Sequence, residues 1–417
     1  MQSTEEPSFH WRTLLDGAAR VEHPALRQPI CLVVDDPMPG YNPAHFHSGF
    51  RLGPLRIPPD LIDRFADLVE TTGIRGKFSV VPYPFGLGRV DQEVEGVSPL
   101  DLRHFLDVVR ERLAPYLDIS PEVLTHWNAL DLGTGRLLPW WEHVWSRRQT
   151  RETLAPYLTL ALEILGAVDL PASGMTSPWD FGAEVETDYA EALLDAQRAV
   201  NGRRLTWYFL HTDAMSRHVA PRVTVLRPAL GEAVINVVAC DREDFGAPLW
   251  RGDDPRPDAL LTADGRGGRL AEVIRAGGPA VFHTHWQTIF GFGSNRGLDA
   301  IRLLAERLNT QFGDYTRWVR CQELAEYAAA AAAVTVTALP GGEAATNLAV
   351  SSPFTCREFT LSLDWNASAG AVQVNGASLR HVHDRAAIGE GTCLLEAGKL
   401  YLCWRLGGTQ QITVRRA

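Results

Sequence analysis

Two adjacent aspartates, Asp35 and Asp36, end the apolar run ICLVVDD. Carboxylates there are costly to bury unless a cation neutralises one of them or both are solvated and capped. Successive strand residues face opposite ways, so the pair can divide its work, one as metal ligand and the other as general base beside an activated water. Capping the turn before Pro37 would explain one aspartate; a pair in company with His126 and His283 points to chemistry. His126 sits in the run EVLTHW, and aspartate with neutral imidazole suits Zn²⁺ or another divalent first-row metal that keeps a position open for water. His283 and His285, one residue apart in AVFHTH, share a strand face, so both can enter one pocket, one as ligand and one as acid.

Further candidates lie in loops. His45 and His47 belong to the Pro- and Gly-rich stretch PMPGYNPAHFHSGF, which can fold over a pocket, so His47 is a candidate substrate contact. Trp179 and Asp180, in SPWDFG, are two more, and Trp127, Trp140, Trp141 and Trp145 add flat apolar surface of the kind on which sugar rings stack.

The elements that must position these residues alternate. Short β-branched runs at 30–35, 77–82, 122–127, 172–176, 205–210, 233–239 and 279–284 read as strands, and helical patterns fill 59–72, 99–114, 151–166, 185–200, 268–276, 297–311 and 321–333. That order predicts an α/β fold over residues 1–333, with βα units around a parallel sheet or barrel and, in a barrel, the chemistry at the C-terminal strand ends. After the alanine run 328–333 the pattern changes to short alternating segments, which predicts a small accessory β-sandwich over 334–417.

Composition bounds the partners. A formal charge of −10 over 417 residues, with pI near 5.7, argues against nucleic acid and anionic membranes and leaves a small molecule or saccharide. Only Lys77 and Lys399 are lysines, read as compositional bias. No secretory signal or membrane-spanning run is apparent, which predicts a cytoplasmic protein, and a homo-oligomer is left open. The six cysteines show no metal or redox spacing, so reduced core thiols are expected.

With these residues in place, residues 28–330 resemble the polysaccharide deacetylase superfamily, the glycoside hydrolase/deacetylase fold, which implies a distorted (β/α)7 TIM-like barrel over residues 1–333. CLVVDDPMPG is similar to the family's opening motif, which implies Asp35 as general base and Asp36 as metal ligand. LTHWNALD supplies His126 as a second ligand; the family's next histidine is here Leu130, so the third ligand falls to Asp131, His283 or His285. SPWDFG matches the third motif at Pro178, Phe181 and Gly182, with Ser177 where the family has arginine, and AVFH nominates His283 as general acid. The resemblance implies a metal-dependent hydrolase that deacetylates a sugar or small polar substrate with metal-activated water. The alternatives are glycosidic cleavage, with Asp180 or Asp241 as the second carboxylate, and a non-catalytic carbohydrate-binding or regulatory barrel.

Overall fold

The computed structural model describes residues 9–42, 55–241, 244–251, 253–340 and 345–416. Seven strands follow one another as β1 (Gln28–Asp35), β2 (Gly76–Val80), β3 (Leu117–Pro121), β4 (Gly174–Thr176), β5 (Leu205–Thr212), β6 (Glu232–Ala239) and β7 (Ala280–His285). The longer helices are α1 (Leu61–Thr72), α2 (Pro99–Val108), α3 (Arg151–Gly166), α4 (Glu186–Asn201), α5 (Arg269–Arg275), α6 (Arg296–Phe312) and α7 (Cys321–Ala333). Among the described residues no helix is long and apolar enough to cross a membrane.

Six of the seven strand positions agree with the sequence pattern. The third does not: the strand is Leu117–Pro121, and residues 122–127 turn away as a loop in which Val123 and His126 have left-handed backbones. The apolar content of EVLTHW reflects burial of that loop, since Val123 and Leu124 are fully enclosed.

The strands form two parallel sheets, β7-β1-β2-β3 and β4-β5-β6. Gly76 permits the close approach of β2 to β1, because a Cβ there would stand 1.8 Å from the Leu32 carbonyl oxygen. Between β3 and β4 there is only the isolated bridge Glu122–Thr176. Between β6 and β7, Cys240 N–H reaches Val281 O at 2.7 Å, while the His283 N–H is taken by the Asp241 carboxylate. The expected closed barrel is therefore not seen; a side chain occupies a hydrogen-bonding position that a continuous ladder would fill.

α7 covers one face of each of the two sheets. Cys31, Val33, Trp207, Ile235 and Val281 share an apolar cluster with Leu324 and the buried alanines 328–331, and that cluster continues into Val350, Phe359 and Leu402 of the C-terminal strands. Side chains of one carbon let the helix approach closely on both sides. Seven C-terminal strands and two N-terminal ones make one nine-stranded hydrogen-bonded sheet. It is built on β8 (Ala345–Asp364) and β9 (Lys399–Arg416), and the N-terminal strand Ala19–Val21 pairs with β8 through Val21 and Leu361. All six cysteines are buried and unbridged.

Asp118 of β3 ties the two parts together by accepting the Gln322 N–H at the start of α7, 2.6 Å away. Burial pushes its carboxyl up to about 7, against the opposing pull of that bond and of Arg320. A folded-state value above the unfolded one means that ionisation opposes folding. The penalty is absent below about pH 4, grows between pH 4 and 7, and is complete above 7. Asp118→Asn should lose less stability than wild type between pH 5 and pH 8, by a difference on the order of 1–3 kcal/mol in urea unfolding. Parallel curves for the two proteins would refute this.

Candidate functional site

The C-terminal ends of the strands enclose a cavity of about 340 Å³ lined by Asp35, Asp36, Glu122, His126, Trp179, Phe209, His283, His285 and Gln287 among others. Asp35 ends β1, and Asp36 follows it with φ of 66°, so the chain turns and both carboxylates reach the cavity without the alternation of a strand. His126 and Trp179 also have left-handed backbones, with φ of 50° and 48°. Such conformations cost non-glycine residues roughly 1–2 kcal/mol each, and they persist where the surroundings enforce them. For His126 the enforcing group is buried Glu142. Its carboxylate accepts the N–H groups of Thr125 and His126, each at 2.8 Å, and the Tyr157 hydroxyl at 2.6 Å.

Asp36, Glu122 and His126 converge, with one donor atom from each within 4.8 Å of the others. His126 Nε2 lies 2.6 Å from Asp36 Oδ1 and 3.4 Å from Glu122 Oε1. Glu122 also accepts the Asp36 N–H at 2.7 Å and the Ser79 hydroxyl at 2.6 Å, and Gln287 donates to Asp36 Oδ2 at 2.7 Å. Burial, reinforced by the charge of Asp36, pushes Glu122 up to about 8. Burial would raise Asp36 too, but the charge of His126 and the bond from it hold that carboxyl well below the usual range. His126, which burial would lower, is pushed up to about 9 by Asp36 and Glu122. Two enclosed carboxylates thus flank one imidazole ring. One nitrogen and two carboxylate donors fit a divalent cation.

The sequence left the third ligand position open among Asp131, His283 and His285; the group closest to Asp36 and His126 is Glu122. Asp131 instead accepts Gly133 and Thr134 N–H groups in an exposed turn. Both β7 histidines line the cavity, each with a carboxylate behind it. His283 Nδ1 lies 2.8 Å from Asp241 and His285 Nδ1 lies 2.9 Å from Asp244. Burial would lower both rings, but for His283 the charge of Asp241 outweighs it, and for His285 the Asp244 bond and the charge of Asp36 push it up to about 10. Asp180 is exposed and outside the lining, whereas Trp179 lies in it, its ring 4.5 Å from His126 and 4.9 Å from Trp141. His45 and His47 lie outside the described residues.

Four participants were missed. Lys77, fully buried in β2, is ion-paired with Asp35 and donates to Thr176 Oγ1 at 2.6 Å. Its signal was a lysine inside an apolar strand in a chain almost without lysine. Glu122 stands four residues before His126, a spacing that was available. Asp244 and Gln287 gave no sign, because only the fold brings them to the cavity.

No protein-family model matches this chain, and no curated protein does. Solved structures it is similar to include a protein assigned as a polysaccharide deacetylase from Pseudomonas aeruginosa, at 10% identity over 72% of this chain and 91% of that one, with a TM-score of 0.42. A glycoside hydrolase/deacetylase candidate from Parabacteroides distasonis aligns at 11% identity over 82% and 83% of the two chains, with a TM-score of 0.42. A CE4 family pseudoenzyme from Bacillus anthracis aligns at 10% identity over 72% and 66%, with a TM-score of 0.33.

The Lys77–Asp35 pair is enclosed, so deleting one partner leaves the other charge buried. Lys77→Met should destabilise the fold by about 3–5 kcal/mol at neutral pH, and adding Asp35→Asn should restore much of that loss. Equal unfolding midpoints for wild type and Lys77→Met would show that the pair does not carry this cost.

Proposed function

We propose that this chain is a divalent-cation-dependent hydrolase that removes an acyl group, held as amide or ester, from a saccharide or small polar molecule. The observation that carries the reading is the buried convergence of Asp36, Glu122 and His126 on the cavity. These three residues would hold the cation, with zinc the expected ion, and a cation there supplies Lewis acidity toward a carbonyl and lowers the pKa of water.

The chain's own residues provide the proton transfers. Asp35 faces the same cavity, fixed through Oδ1 by Lys77, and is the proposed general base. His283, oriented at Nδ1 by Asp241, presents its other ring nitrogen for donation, and its charged form is favoured. It is the proposed general acid for the departing amine or alcohol. His285, held by Asp244, adds a second cationic ring where negative charge develops on the substrate oxygen. Trp179, with Trp141 at its side, offers a flat wall for a sugar ring. A cytoplasmic location would direct this chemistry to soluble saccharides or biosynthetic intermediates.

Glycosidic cleavage fits less well. Asp180 is exposed beyond the cavity lining, and Asp241 is committed to the His283 ring and N–H, so neither stands free across a scissile bond from Asp35.

Metal analysis after gel filtration, together with acetate release from N- and O-acetylated saccharides, tests the reading. Wild type should retain a divalent ion and turn over, Glu122→Gln and His126→Ala should lose both, and Asp35→Asn should keep the ion with kcat lower by about 10²-fold or more. A folded wild type that binds no added zinc, manganese or cobalt would sink the proposal.

A further inference from the structure

A histidine that ligates a metal is ordinarily aimed by a hydrogen bond at its second ring nitrogen, which fixes both tautomer and orientation. His126 lacks that bond. Its Nε2 faces Asp36 at 2.6 Å, while Nδ1 is buried and has no partner among the described residues. The ring of Trp179, 4.5 Å away and inclined at 73°, restrains the imidazole by contact alone. What directs the imidazole must therefore act through the backbone that carries it.

That backbone is held from one residue. Glu142, fully buried, opens the short helix Glu142–Ser146. Its Oε1 accepts the Thr125 N–H and its Oε2 the His126 N–H, while the Glu142 N–H bonds Trp127 O at 2.7 Å. Three consecutive residues are thus fixed by a single side chain and its own amide. Tyr157 of α3 holds Glu142 in turn: its hydroxyl donates to Oε1 and accepts the Leu130 N–H at 3.1 Å. Glu142 and Tyr157 stand outside the cavity lining, so they act on the site through the loop.

The carboxylate suits this task for a chemical reason. It has two acceptor oxygens and no donor, so it can take two N–H groups from adjacent residues and a hydroxyl besides. These bonds also oppose the strain of the left-handed His126 backbone, at φ of 50°. A glutamine would keep one acceptor oxygen and turn an NH₂ group toward the other N–H. We propose that Glu142 is a positioning residue, which aims the His126 imidazole through its backbone in place of a partner at Nδ1. This role rests on the cation-dependent reading of the site.

The test is Co²⁺ titration of the full chain, followed by the visible absorption of the bound ion and by competition with a chelator. Glu142→Gln should weaken Co²⁺ binding about 10- to 100-fold and shift the absorption bands, because the imidazole no longer meets the ion at one fixed angle. If that variant does not fold, Tyr157→Phe takes its place and should weaken binding about threefold or more. Val350→Ala, in the core of the C-terminal sheet, should lower the unfolding midpoint and leave Co²⁺ affinity within about twofold of wild type. Wild type that takes up no Co²⁺ ends the cation reading, and this role with it. Wild type that binds Co²⁺, with Glu142→Gln or its substitute binding it equally and showing the same bands, overturns the positioning role alone. Val350→Ala overturns that role too if it weakens binding as much as Glu142→Gln does.

Discussion

Asp35, Asp36 and Glu122 are withdrawn from water around one cavity, and three carboxylates cannot be charged in so small a space without compensation. Much of the surrounding architecture answers that constraint. Lys77 is buried for Asp35, His126 is drawn to Asp36 and Glu122, and Ser79 and the Asp36 N–H satisfy Glu122. The two loops that bring His126 and Trp179 to the cavity are bent through left-handed residues, and Glu142 is spent on holding one of them. Even so, burial and the charge of Asp36 push Glu122 up to about 8.

The parts of this arrangement visible in the sequence were those with local causes. The apolar runs of β1 and β7 mark buried strands, and polar residues at their ends mark the functional rim, so Asp35, Asp36, His283 and His285 could be named. The extent of α3 and α7 followed from periodicity and agrees with the structure. The third strand was misplaced because a buried loop and a buried strand share the same hydrophobicity, and only the left-handed turns at Val123 and His126 separate them. Barrel closure was misjudged for a different reason. Strand count does not reveal whether neighbouring edges pair, and a single Asp241 carboxylate alters the β6–β7 joint.

The missed participants share a property. Lys77 pairs with a residue 42 positions away, and Gln287 reaches one 251 positions away. Partners at such separations leave no periodic trace. Lys77 alone was conspicuous, because an uncompensated lysine is among the least tolerated residues in a buried strand, and that cost already implied an acidic partner.

The pairing of Val21 with Leu361 bears on how the molecule is assembled. Glu22 and Ser362, bonded across 340 positions, bring the start and the finish of the described chain into one sheet. During synthesis the strand Ala19–Val21 precedes its partner in β8 by 340 positions, so the edge it offers to β8 waits unpaired until that strand has been made. The parallel strands and α7 can gather beforehand, so the C-terminal sheet is the slow, high-contact-order part of folding. While β8 is awaited, that open edge is where a second nascent chain could pair in its place.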